Sequence, residues 1–177
     1  MYKYLKKIIS ILIKSKKNIF PPKKNNILIF DQEGSDNIIN FFKKNINSNI
    51  PEILSVRGEC INLSILFICL LKFKIKKNFY IQEYIKNVNP LFVITFIDNN
   101  FIFYKIHQQF PNIKFIFIQN GWRSYYNDIF EKLENIRNSK KIHKVDTMLV
   151  FGRSIGNLYS KYTTGEVKVI GSLNNNF

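Results

Sequence analysis

Only four arginines stand against twenty-three lysines in this chain, and three of the four fall just past apolar runs. Arg57 follows EILSV, Arg123 follows KFIFI and Arg153 follows TMLVF. A guanidinium is a planar fork that holds phosphate or carboxylate by two parallel bonds, which an ammonium does not reproduce. In a lysine-rich chain, arginines at such places point to anion recognition. The competing use is a loop-anchoring ion pair, for Arg57 with Glu59 or Asp31. Carboxylates and amides gather at the same places: Asp31 and Glu33 after NILIF, Gly58 and Glu59 beside Arg57, and Asp98 and Asn99 after LFVITF. Gln119, Asn120 and Gly121 lead from KFIFI to the single tryptophan, Trp122, and to Arg123. A carboxylate in such a loop can take the proton of an attacking hydroxyl. Asp98 is the best placed and Glu59 the second, although IDNNF also fits an Asx turn that caps the next helix.

Other chemistries lack their residues. DQEGSDN has one glycine where a dinucleotide fingerprint needs three, and no GxxxxGK[ST] loop occurs. No GxSxG elbow and no HExxH pair is present. His107 and His143 are isolated, and Cys60 and Cys69 form no CxxC, so neither a metal nor a cofactor is expected and the thiols read as reduced core residues.

The elements that must carry these loops follow from apolar patterning. Short apolar runs predict strands at 26–30, 52–56, 91–96, 114–118, 147–151 and 167–170. Helical spacing predicts helices at 2–17, from Ser35 or Asp36 onward, at 61–74, 79–87, 101–109, 127–138 and 154–161. Strands apolar on both faces, alternating with helices, specify an α/β fold: a Rossmann-like open parallel sheet flanked by helices. Right-handed crossovers then bring every strand's C-terminal end to one edge, where open α/β sheets bind ligands. The aromatics of FIDNNFIFYKI fall on helical faces and read as core.

The 177 residues, 46% hydrophobic, suffice for one domain with a sizeable core. A net charge of +15 invites a nucleic-acid reading. Lys, Asn, Ile and Phe are abundant together, however, and removing the eight lysines of residues 1–24 leaves +7 for the rest. No specific nucleic-acid partner is expected. Residues 1–24 read as a basic amphipathic helix and linker, 25–172 as the α/β domain and 173–177 as linker. The apolar core of the first helix is too short for a signal peptide, and no apolar run spans a bilayer. The expected place is the cytoplasm, with the lysine-rich helix either lying on an anionic membrane surface or packing Leu5, Ile8, Ile9, Leu12 and Ile13 onto the domain with its lysines in water.

With these residues in hand, the chain resembles the N-terminal domain of GT-B-type glycosyltransferases, and most of all the surface carbohydrate biosynthesis proteins of bacteria. Residues 95–123, the segment VDTMLVFGRSIGNLYSKY (145–162) and VKVIGSLNNN (167–176) carry the likeness, with ILIFDQEG and ILSVRGE extending it over roughly 25–177. The resemblance implies the acceptor side of a transferase whose nucleotide-sugar donor is held mainly by a C-terminal domain, and the chain ends where that domain would begin. It implies direct transfer of a sugar to a glycan hydroxyl, with Arg57 and Arg123 stabilising phosphate or acidic sugar groups and Asp98 or Glu59 as base. QNGWRSYYND is also similar to the glycine-arginine loop of UDP-N-acetylglucosamine 2-epimerases. Those enzymes carry His and Glu where this chain has Phe117 and Gln119, which counts against epimerase chemistry. Asn120-Gly121 likewise stands where related transferases carry His-Gly. The reading from another class is a non-catalytic basic module that binds membrane or polyanions through residues 1–24.

Overall fold

The computed structural model describes residues 13–45, 50–126, 128–138 and 143–173. Six strands form one parallel sheet: β2 (Ile27–Phe30), β3 (Glu52–Leu54), β5 (Phe92–Thr95), β6 (Lys114–Ile118), β7 (His143–Val150) and β8 (Thr163–Val169). Their order across the sheet is β3-β2-β5-β6-β7-β8, every neighbouring pair parallel. Six helices connect them: α1 (Ser35–Asn45), α2 (Leu63–Leu71), α3 (Lys77–Val88), α4 (Phe101–His107), α5 (Ile129–Asn138) and α6 (Arg153–Tyr162). The expected Rossmann-like parallel sheet is the observed one.

Strand side chains alternate between two cores, because successive residues of a strand face opposite ways. Leu28, Phe30, Val93, Phe115 and Phe117 enter a large core with Ile85 of α3, Phe103 and Tyr104 of α4, Phe130 of α5 and Tyr159 of α6. Ile29, Ile94 and Ile118 enter a smaller core on the other face with Ile38 of α1. α1 therefore covers one face, and the later helices cover the opposite one. The chain leaves β2 toward β3 and then crosses back to β5, so the sheet's topological switch point lies between β2 and β5.

Boundaries differ from expectation in instructive places. β7 and β8 each begin four residues earlier than apolar patterning suggests, because His143 and Lys144 pair with Thr163 and Thr164 as well as valines do when the ladder uses only backbone, and an irregularity in register at Gly165 separates them from the rest of the ladder. The helix expected from 61 starts at Leu63, since Cys60–Asn62 is strand β4, paired in parallel with β1 (Lys16–Asn18) in a separate two-stranded sheet. That pairing also overturns the end of the helix expected at 2–17; its first part, residues 1–12, lies outside the described residues. The last residues of the expected linker, 174–177, lie outside them as well.

Candidate functional site

The edge on the β2 side of the switch point is built from the residues that leave β2 and β3. Asp31 continues β2 and is held by its N–H, which donates to the Leu54 carbonyl at 2.9 Å. Its φ of +89° is a conformation that costs a non-glycine residue about 1–3 kcal/mol. Gly34, at φ +73°, makes the next turn so tightly that a Cβ there would stand 2.5 Å from Cδ1 of Phe96. Asp31 is fully buried; its Oδ2 accepts from Arg57 Nε at 3.1 Å, and its Oδ1 has no hydrogen-bond partner. Burial pushes the Asp31 carboxyl up; the Arg57 charge opposes that shift and Glu59 adds to it.

Arg57 spans Asp31 and Glu33 while its own side chain stays 48% exposed. Its ion-pair partners are thus Asp31 and Glu33, with Glu59 turned to another neighbour. The Glu59 carboxylate accepts from the Ser55 hydroxyl, which in turn accepts from the Cys60 N–H at 3.1 Å. Gly58, at φ +93°, turns the loop, and its carbonyl accepts from the Ser15 hydroxyl. Arg57, Gly58 and Glu59 therefore form one polar loop over a strained, unevenly paired carboxylate.

Two strands along the edge, Asp98 makes a different arrangement. It is fully buried, and its carboxylate accepts from Arg123 Nε at 2.7 Å, from Arg123 Nη2, from the Tyr159 hydroxyl and from the Asn120 N–H at 3.4 Å. The Arg123 side chain is 9% exposed and donates also to Asn120 Oδ1 and to the Trp122 carbonyl. Burial works against its charge, but the bonds and charge of Asp98 outweigh that and raise the guanidinium above its ordinary value. Tyr104 adds a bond from its hydroxyl to the Asp98 carbonyl. A carboxylate saturated by four donors and sealed from solvent is an anchor for the 119–123 loop. The Asx turn that IDNNF suggested is made by Asn100, whose side chain accepts from the Ile102 N–H and caps α4. Asn99 stands exposed in the turn between them.

Gln119 is buried and ties two edges together: its Nε2 donates to the Gly121 carbonyl, and its Oε1 accepts from the Phe151 N–H, both at 2.9 Å. Between these loops lies a cavity of about 390 Å³ walled by Gln119, Trp122, Arg123, Phe151, Arg153 and Leu158. Trp122 is 87% exposed, so an apolar ring lines an open site beside the outward Arg153. Patterning pointed to these loops but missed Tyr159 and Leu158. Both sit mid-helix, and only the packing of α6 on the sheet brings them to the edge.

Residues 116–177 match a family model described as "putative O-antigen biosynthesis protein". This part of the chain is thus similar to proteins of surface carbohydrate biosynthesis. The match covers about a third of the chain, from within β6 to the end, and includes every residue of the cavity wall. No curated protein matches the chain. No solved structure matches it.

Proposed function

We propose that this chain is the acceptor-side domain of a GT-B-like glycosyltransferase that builds bacterial surface polysaccharide. One observation carries the reading: the cavity at the C-terminal edge of the parallel sheet lies wholly within the segment similar to O-antigen biosynthesis proteins. A ring such as Trp122 offers an apolar face to the C–H face of a sugar, and Arg153 offers a fork for a carboxylate or phosphate on it. The loop of Arg57, Gly58 and Glu59 lies further along the same edge, three strand spacings from β6, or roughly 14 Å, a span that accommodates a short oligosaccharide.

In this reading the acceptor hydroxyl attacks the anomeric carbon of a nucleotide-sugar, the C–O bond to the nucleotide breaks, and the nucleotide leaves with the electron pair. Glu59, exposed and oriented by Ser55, takes the hydroxyl proton. Arg57, presented by Asp31, meets phosphate or acidic sugar groups. Asp98 and Arg123 hold the 119–123 loop in place, with Asn99, Asn120 and Gly121 at the acceptor side. Nucleotide-sugar contacts belong to a second domain.

Trp122 is the single tryptophan, so intrinsic fluorescence reports occupancy of the cavity directly. Titration with acidic or phosphorylated oligosaccharides should change the emission saturably, and Arg153→Glu should weaken binding about tenfold or more, the loss of one charge-assisted fork. UDP-sugars should bind this chain only weakly. Tight, saturable binding of a UDP-sugar to the chain alone, or indifference of glycan binding to Arg153→Glu, would overturn the assignment.

A further inference from the structure

Helix α2 is apolar on every side, LSILFICLL, which is the pattern of a helix buried all round. Yet only Ile65 and Cys69 are buried, while Phe67, Leu70 and Leu71 are exposed along its outer side. The helix ends in a Schellman turn: the Phe73 N–H donates to the Leu70 carbonyl and the Lys74 N–H to the Cys69 carbonyl, both at 2.9 Å. The left-handed position of that turn normally belongs to glycine. Here it is Phe73, at φ +52° and 94% exposed. A large ring is therefore held in a strained backbone conformation and given to solvent, with exposed Ile75 beyond it.

At the other end of α2, the Asn62 side chain donates to the Phe20 carbonyl at 2.8 Å, which fixes exposed Ile19 and Phe20 beside the helix start. Lysines dominate around these residues, and the one acidic partner among the described ion pairs there is the buried Glu83 of α3, which holds Lys72 at 2.8 Å. Segments 13–24 and 63–77 contain nine lysines and no acidic residue. Lys72 and Lys74 place their ammonium groups 5.9 and 5.0 Å from the Phe79 ring.

We propose that this face, from Ile19 and Phe20 along α2 to Phe73 and Ile75, seats the protein on an anionic lipid bilayer. Apolar side chains enter the headgroup boundary while the surrounding lysines meet lipid phosphates, the division of labour of an interfacial helix. A lysine-dominated rim around an apolar centre fits a surface of uniform negative charge. A second copy of the chain would bring the same lysines against themselves. The inference stands on residues separate from the cavity and does not depend on the transferase reading.

Phe73→Gly is the discriminating variant, because glycine suits the left-handed position and the fold should be no less stable by thermal melting. Full chain would be sedimented with phosphatidylcholine vesicles and with vesicles of roughly one third phosphatidylglycerol. Wild type should pellet with the anionic vesicles only and be released as salt rises from about 0.1 to about 0.5 M. Phe73→Gly should bind at least about fivefold more weakly at unchanged or higher melting temperature, and Lys74→Glu with Lys76→Glu about tenfold more weakly. The proposal fails if wild type ignores lipid charge, or if Phe73→Gly binds vesicles as well as wild type does. It fails equally if binding depends on Lys3, Lys6 and Lys7 alone, which would assign it to residues 1–12. A wild-type dimer that Phe73→Gly dissociates, with no vesicle binding, would instead give the face to a second copy.

Discussion

Asp31 carries two costs at one residue, a left-handed backbone and an unpaired buried carboxylate oxygen. Such costs persist where the surroundings over-determine the residue, here through the Leu54 carbonyl and the Arg57 guanidinium. Burial raises the folded-state value of this carboxyl, with Glu59 adding to the shift and Arg57 opposing it. A raised value means that the contribution of this group to stability is fully present below the unfolded value near 4 and lost as pH rises through the folded one. Asp31→Asn is neutral throughout, so its stability relative to wild type should improve as pH rises above about 4. The bond to half-exposed Arg57 is worth only about 0–1 kcal/mol and does not reverse that gain. Urea midpoints at a series of pH values test this; a gap that does not change with pH contradicts it. The carboxylates after the strands were legible as residue types in the right loops. Which one would be saturated and which left half-paired was not, because that depends on Arg123 and Tyr159 arriving from other parts of the chain.

At the scale of elements, α6 lies close enough to the sheet that Gly156 cannot gain a side chain freely. A Cβ there would stand 2.6 Å from Cγ1 of Val167 and 3.2 Å from Cγ2 of Val150. Gly156→Ala gains about 1 kcal/mol of helix propensity but must push two stiff β-branched side chains, which costs about 1–3 kcal/mol. Net destabilisation is expected, together with weaker glycan-induced change in Trp122 emission, since Leu158 and Ile155 of the same helix line the cavity. A more stable Gly156→Ala protein would mean that α6 is free to lift. The six helices were legible from helical spacing and the six main strands from their apolar runs, apart from the first four residues of β7 and β8. β1 and β4 were not, because three-residue strands paired over a separation of 44 positions leave no period to read.

For the whole molecule, the Asp98 carboxylate is the tie between the end of β5, the loop after β6 and the middle of α6. Asp98→Asn leaves the Arg123 guanidinium buried without a counter-charge, a change that costs about 3–5 kcal/mol. Outward-facing Arg153→Ala should cost less than about 0.5 kcal/mol under the same denaturant titration. Equal losses at the two positions would show that Asp98 is not the tie. By itself, the sequence determined the layered α/β class, the single edge that collects the strand-end loops and the residue types on it. Apolar period and right-handed connection are local properties that every stretch of chain carries. Only the tertiary structure decided that Arg123 is locked and Arg57 half open, that Trp122 and Arg153 wall one cavity, and that the apolar α2 keeps an uncovered face. Those outcomes depend on which distant side chain fills each space, and no spacing within a segment encodes that.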